Sequence, residues 1–495
     1  MREIDYIEMN PQTSTDCSKM LSLIVVVSTI FSVVEANIKY TPIMIAEIFR
    51  NGGAFESLDK ELVDKIFQGL PSRNQQNLVP NGIRQQYNLG KCWKEEYPEI
   101  FKGNIDLEKV SMSSAAKRFS MDSATAHLYG LLEESDIPQI EMSIEHLPSI
   151  YPPMAEKTEA HFKRMDSKAV PQGMGLVPIQ TFSSEKDFMY FPELDTQCKG
   201  IAENNLYDYS QFVSNKDQFY LPTVKTLEQK GFNATELLGK KEWDLEGISK
   251  LFRVLEVYYY SQNKHYSLID PDLFNELKIL HGIHRLNYYF PNAENSKVYS
   301  NNVARDILSQ LEMGVKGESV YAGYSALEHT LLAFLKNLRF LSSSCYIENY
   351  DLRVHDFKGG KCAEYPLFSS SIVIELSKME VNGDNVKRDG PSQPLDDYYV
   401  SVFYNRQSLK LEGCPDVYCK YTQFRGVFSG LTLVDNIKAR CGMGTTQAYK
   451  FYWILIGCIL FTSLMIVLVT MKNRKIHNAN IELSRTADGF LYERY

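Results

Sequence analysis

The stretch Thr41–Phe55, "TPIMIAEIFRNGGAF", decides how this chain is read. Ile43–Phe49 is a short apolar run and predicts a buried strand. Arg50, Asn51, Gly52 and Gly53 follow at once. An arginine and two glycines at the end of a buried strand form an anion-binding type of turn, because the backbone can approach closely and the guanidinium can fork onto oxygens. Asn51 stands beside that arginine, and no second arginine follows.

Working outward, "ESLDKELVDKIFQGL" (56–70) repeats Leu58, Leu62, Ile66, Phe67 and Leu70 at helical spacing. "NGIRQQYNLGKCWKEEYPEIF" (81–101) predicts an amphipathic helix with Ile83, Tyr87, Leu89 or Gly90, and Trp93 on its face, and "SSAAKRFSMDSATAHLYGLL" (113–132) a third helix. Strands are expected in "GLVPIQTF", "ESVYAGYSA", "SSIVIEL" and "DYYVSVFYN", the last two joined as a hairpin through "PSQPL". Helices and strands mix throughout, which predicts an α/β layer architecture. Strand signals thin between about residues 199 and 300, where "EGISKLFRVLEVYYYS" and "DPDLFNELKILHGIHRLNYYF" predict a helical cap.

The 495 residues suffice for two domains, or for one large domain with an insert. A net charge of −8 gives no footprint for nucleic acid. Two apolar segments frame the chain. Leu21–Val34, "LSLIVVVSTIFSVV", has the length of a signal-peptide core, so residues 1–36 are expected to be a leader; an uncleaved anchor is the competing reading, and Met20 is a second candidate start. Residues 449–471 contain Phe451–Met471, an uncharged run of 21 residues that fits one membrane-spanning helix. Lys472, Arg474 and Lys475 follow it, which puts residues 472–495 on the cytoplasmic side and the body, 37–445, in the lumen or outside the cell. Seven cysteines fall in that body, in keeping with an oxidising compartment. Asn233-Ala234-Thr235 is a glycosylation sequon. His281 and His284, "HGIH", share a helix face; with no carboxylate or cysteine cluster beside them they are expected as a half-exposed surface pair, and no metal or cofactor is implied.

Four segments together resemble the histidine acid phosphatases, the group with the lysosomal and prostatic enzymes: "LVPNGIRQQYNLGK", "VPIQTFSSEKDFMYFPELDTQC", "YAGYSALEHTLLAFL", and "SSIVIEL" followed by "YYVSVFYNRQSLKLEGCPDVYC". The likeness runs from about Ile38 to Cys441. It implies a phosphoglycerate-mutase-like α/β core with an inserted helical cap, and hydrolysis of phosphate monoesters through a phosphohistidine. It also implies an attacking histidine, a second histidine, arginines on the phosphate oxygens and an aspartic acid for the leaving group. Arg50 and Gly52 match that pattern, and Asn51 stands at the nucleophile's place. Ala54 and Ser111 replace arginines, Leu327 replaces the second histidine, and Glu328 replaces the aspartate.

A carboxamide nitrogen is no nucleophile, because its lone pair is delocalised. The expectation is therefore a membrane-anchored pseudophosphatase that acts by binding, with Arg50 as the remnant of an anion or phosphorylated-ligand site. The alternatives are an active acid phosphatase with unusual residues, which His329 could serve only through a register shift, and an adhesion or receptor role. Glu328 and His329 are expected as a solvated or capping pair at a helix start. The resemblance further implies disulfides Cys198–Cys441 and Cys414–Cys419, with Cys345–Cys362 as a local pair and Cys92 left over, and it leaves a homodimer open. The weak tail motif "GFLYERY" leaves lysosome, endosome and cell surface as alternatives.

Overall fold

The computed structural model describes residues 37–55, 60–66, 77–101, 105–132, 177–183, 187, 189–191, 197–215, 219–262, 267–351, 362–382, 395, 397–441 and 445–491. The expected leader, 1–36, lies outside them.

One mixed sheet organises the body. Its strands are β1 (Asn37–Arg50), β2 (Val110–Ser114), β3 (Ile179–Gln180), β4 (Tyr321–Ala326), β5 (Ser371–Asn382), β6 (Tyr398–Tyr404), β7 (Gln407–Leu409) and β8 (Cys419–Lys420). The order is β3-β2-β4-β1-β5-β6-β7, with β8 on β6. β1, β4, β2 and β3 run parallel, while β5 to β8 add an antiparallel half. β1 is longer than the apolar run predicted. It begins at Asn37, because its first half pairs with the far end of β5 across a register shift at Pro42, where a missing N–H is tolerated.

Each face of the sheet buries its own core. Met44, Ala46 and Ile48 of β1 join the larger core, while Ile45 and Phe49 join a smaller one with Trp93, Tyr97 and Leu128. This alternation is the period of two that a strand buried on both faces must show.

The helices are α1 (Lys60–Ile66), α2 (Pro80–Glu96), α3 (Pro98–Phe101), α4 (Arg118–Leu131), α5 (Lys199–Asn215), α6 (Leu221–Gln229), α7 (Ala234–Leu238), α8 (Leu245–Gln262), α9 (Pro271–Tyr289), α10 (Ala293–Lys316), α11 (Glu328–Asn337), α12 (Ser343–Asp351), α13 (Tyr421–Thr432), α14 (Ile437–Arg440) and α15 (Thr445–Leu491). α5 to α10 form the long helical run between β3 and β4.

The face of α2 differs from the expected one. Gly82, Gln86, Gly90 and Trp93 are buried, and Ile83 is 49% exposed. The reason is backbone contact with α4. A Cβ on Gly90 would sit 2.1 Å from the carbonyl oxygen of His127, and one on Gly130 would sit 1.9 Å from that of Tyr87. Glycines, not the larger apolar residues, set which face turns inward.

Disulfides join Cys198 to Cys441, Cys345 to Cys362 and Cys414 to Cys419. Cys92 is free and exposed. The first of these links the start of α5 to the end of α14, across 243 residues. α15 contains the span Tyr452–Ser484, whose most apolar 18 residues have a mean hydropathy of 2.7, long and apolar enough to cross a bilayer.

Candidate functional site

The C-terminal ends of β1 and β4 lie side by side, with Arg50 in register with Ala326. Parallel α/β sheets place their sites at this edge, where the strands hand over to loops and helix N-termini. The turn after Arg50 is held tightly. Gly52 N–H donates to Ser123 Oγ at 3.1 Å, and Gly53 N–H to Gln85 Oε1 at 3.1 Å. A Cβ at Gly52 would fall 2.2 Å from the Gly82 carbonyl oxygen, so only glycine lets this turn lie on the start of α2.

Arg50 is 2% exposed, and its fork is already filled. Nη1 donates to Glu256 Oε1 at 2.8 Å and Nη2 to Glu256 Oε2 at 3.1 Å. Nη1 also reaches the Pro366 carbonyl at 2.7 Å, and the guanidinium carbon lies 4.1 Å from the centre of the Phe368 ring. Glu256 comes from α8 and is 1% exposed. Burial lifts its carboxyl above the ordinary range and Arg50 opposes that lift; the two-pronged contact is the geometry of an ionised carboxylate on a guanidinium. For Arg50 burial works against the charge, and Glu256, Tyr365 and Glu328 outweigh it.

A second pair lies beside the first. Arg285 of α9 donates through Nε to Glu328 Oε1 at 2.5 Å, and its guanidinium lies over the Tyr289 ring at 4.2 Å. Glu328 Oε2 is 3.8 Å from Arg50 Nη2, so the two pairs adjoin. Burial disfavours the Glu328 charge, yet Arg285, His281 and Arg50 overcome it and hold the carboxyl well below its usual range. Glu328 and His329 are therefore not the solvated pair expected at the start of α11: they are 4% and 8% exposed. The cap helices cover this edge and replace the water that the helix start alone would meet.

The remaining candidates are distributed as follows. Asn51 is fully buried, and its Nδ2 donates to the Gly52 carbonyl at 2.9 Å. Ala54 is buried and forms an isolated bridge with Leu78. Leu327 sits in the larger core, and its carbonyl accepts the first bonds of α11. His329 Nε2 hydrogen-bonds the Tyr190 carbonyl at 2.7 Å, away from the Arg50 pair; burial lowers its pKa to about 4 and leaves the ring neutral. Ser111 is not brought to Arg50. It pairs with Ala322, four residues before Ala326, which is roughly 13 Å along the strand.

Residues 47–405 match the histidine phosphatase superfamily (branch 2), more than half of the chain. The chain belongs to that superfamily. Solved structures agree in fold. The Hafnia alvei phytase in complex with tartrate aligns at 10% identity and a TM-score of 0.52, covering 81% of this chain and 98% of that one. The D. castellii phytase aligns at 12% and 0.52, covering 84% of each, and the Klebsiella sp ASR1 phytase at 11% and 0.51, covering 80% and 96%. No curated protein sequence matches.

Within this histidine phosphatase fold, the motif reading singled out Arg50 and Glu328 but missed their partners, Glu256 and Arg285. A signal for Glu256 was present. It lies four residues after Phe252 on the apolar stripe of "ISKLFRVLEV", an unusual place for a carboxylate unless it is paired. The expected surface pair of His281 and His284 is buried as well, at 0% and 5% exposure. His281 bonds Ser249 Oγ at 2.7 Å and the Tyr365 hydroxyl at 2.8 Å, while His284 stacks on Tyr288. Their helix α9 runs through the core of the insert, with a neighbour on both faces.

Proposed function

We propose that this chain is a membrane-anchored histidine phosphatase without catalysis, whose body acts by binding. The observation that carries the reading is Glu256 on Arg50. A phosphate group needs the guanidinium fork, and an internal carboxylate holds it from both sides at 2.8 and 3.1 Å. Asn51 at the nucleophile's place and Leu327 at the second histidine's place support it from the motif side. His329, the residue an active alternative would use, spends its Nε2 on a backbone carbonyl.

The anchor reading rests on α15 with the basic residues that follow its apolar stretch, and the disulfides suit a secretory-pathway body. Asn233 suits a glycan: the residue is exposed, and only its Oδ1 is taken, by the Thr235 and Glu236 N–H groups. Lysosome, endosome and cell surface are all reached by that route.

The test is hydrolysis of p-nitrophenyl phosphate at acidic pH by the purified native chain. Beside it runs a variant carrying Asn51→His, Ala54→Arg, Leu327→His and Glu328→Asp, with and without Glu256→Gln. The native chain is expected to be silent. Turnover in the native chain that disappears with His329→Ala would overturn the reading.

A further inference from the structure

A second concavity lies on the opposite face of the sheet, at the other end of β1. It encloses about 310 Å³, within the range of small-ligand sites. Its lining is mainly aromatic: Tyr40, Trp93, Tyr97, Phe403 and Tyr418. Tyr40 and Tyr418 stack with ring centres 4.1 Å apart, and Trp93 and Tyr97 stand 5.9 Å apart at 41°. Glu375 of β5 belongs to the same lining and is 6% exposed. It pairs in register with Ile45, five residues from Arg50, roughly 17 Å along the strand.

The charges here are not balanced as they are at Arg50. Glu375 accepts from the Ser377 hydroxyl at 2.5 Å and from the Tyr97 hydroxyl, both neutral donors. The cation in the lining, Arg406, is engaged by Glu96 at the rim. Burial raises the Glu375 carboxyl above its ordinary range, and Glu96 and Glu99 act on it in the same direction. A buried carboxylate in a lining rich in aromatic rings is a chemistry complementary to one kind of guest. Ring faces attract soft organic cations, and a carboxylate supplies the counter-charge. Hard metal ions want six or more oxygens, which these rings do not offer. Anions are repelled by the carboxylates.

We propose that this cavity binds the ammonium head of an organic cation, with Glu375 as counter-ion and the Tyr40, Tyr97 and Tyr418 rings as its walls. The head group is common to a lysine side chain and to a quaternary amine. The site is independent of Arg50, and it is the surface through which the body would recognise a partner or ligand without phosphate chemistry.

The experiment is a titration of the full chain in non-ionic detergent with tetramethylammonium chloride and with Nα-acetyl-lysine methylamide, using sodium chloride as the ionic control. Binding is read by calorimetry or ligand-observed NMR. Saturable binding of at least one ammonium probe is expected, weakened tenfold or more by Glu375→Gln and by Tyr418→Leu. Preference for the quaternary probe would assign a free or lipid-borne amine; preference for the lysine probe would assign a peptide side chain. Thermal unfolding checks each variant, and if Glu375→Gln does not fold, Tyr418→Leu decides alone. No saturable binding above the sodium control, or unchanged affinity in every folded variant, would overturn the proposal. Neither result depends on phosphatase activity, so the fate of the inactive-enzyme reading is separate.

Discussion

Two buried carboxylates on two faces of one sheet are treated in opposite ways. Glu256 is locked onto Arg50 by two hydrogen bonds and a neighbouring ion pair. Glu375, roughly as buried, meets neutral hydroxyls and a cavity. The first arrangement is closed: both terminal nitrogens of the Arg50 fork are taken inside the chain, and only its Nε is left without a hydrogen bond. The second is open, because among the described residues Glu375 meets only neutral donors, and the cation in its lining, Arg406, is paired with Glu96. In this histidine phosphatase fold the arginine at the end of β1 is answered by a carboxylate of the same chain, while a carboxylate on the other face meets only neutral donors.

The largest expected effect tests the closed side. Glu256→Ala leaves Arg50 buried with only the Pro366 carbonyl and the longer contact to Glu328, and removing one partner of such a pair costs about 3–5 kcal/mol. Chemical unfolding of the detergent-solubilised chain measures it, and adding Arg50→Met to the same chain should recover much of the loss. If Glu256→Ala and Glu375→Ala cost the same, the contrast between the faces is broken.

Next comes Glu328→Gln, which weakens the bond from Arg285 Nε and is expected to cost roughly 1.5–3 kcal/mol, the worth of a hydrogen bond to a charged group. The same carboxyl is held well below its usual range, so its contribution is present above its unfolded pKa and is lost as pH falls through the lower folded value. Unfolding midpoints for the native chain and Glu328→Gln should therefore differ at neutral pH and converge only as the pH falls through that lowered value.

A milder effect belongs to His284. Burial lowers its pKa to about 3 from the ordinary 6.5. The depressed group contributes stability fully above 6.5, and that stability drains as pH falls toward 3. By pH 5 the loss is about 2 kcal/mol. His284→Phe, which keeps the ring stacked on Tyr288, should flatten the stability curve between pH 6.5 and 4; an unchanged slope would mean the ring is not the acid-sensitive element.

The smallest effect sharpens the open side. A carboxyl raised by burial stabilises the fold only while protonated, and that contribution is lost as pH rises through its folded value. At neutral pH, Glu375→Gln is accordingly expected to change stability by less than about 1 kcal/mol, or to raise it slightly. A loss of the size expected for Glu256→Ala would show that Glu375 has a partner of its own.

Much of the fold could be read before any geometry was known. The strand before Arg50, the hairpin of β5 and β6, the helical run between β3 and β4 and the apolar C-terminal helix each follow from local period, length and composition, which act over a few residues. Asn51, Ala54 and Leu327, on which the proposal of an inactive enzyme leans, were likewise visible, because a motif is a statement about neighbouring positions. What went astray has a common cause. On α2, Gly90 and Trp93 turn inward as expected, but Ile83 gives way to Gly82 and Gln86, because a glycine contact between backbones carries no apolar signal. His281, His284, Glu328 and His329 were placed at the surface because polar residues are usually there, and their covering elements come from elsewhere in the chain. Ser111 was placed by motif spacing, and the strand register sets it four residues too low.

The amino-acid sequence by itself determined the superfamily and the apolar span, since these depend on which residues stand next to which. Only the tertiary structure decided which distant residues answer the buried charges. Glu256 reaches Arg50 across 206 residues, and Glu375, Trp93 and Tyr418 line one cavity from distant parts of the chain. Whether a buried charge is satisfied depends on the dielectric and the partners around it in space, and neither is written in the order of the chain.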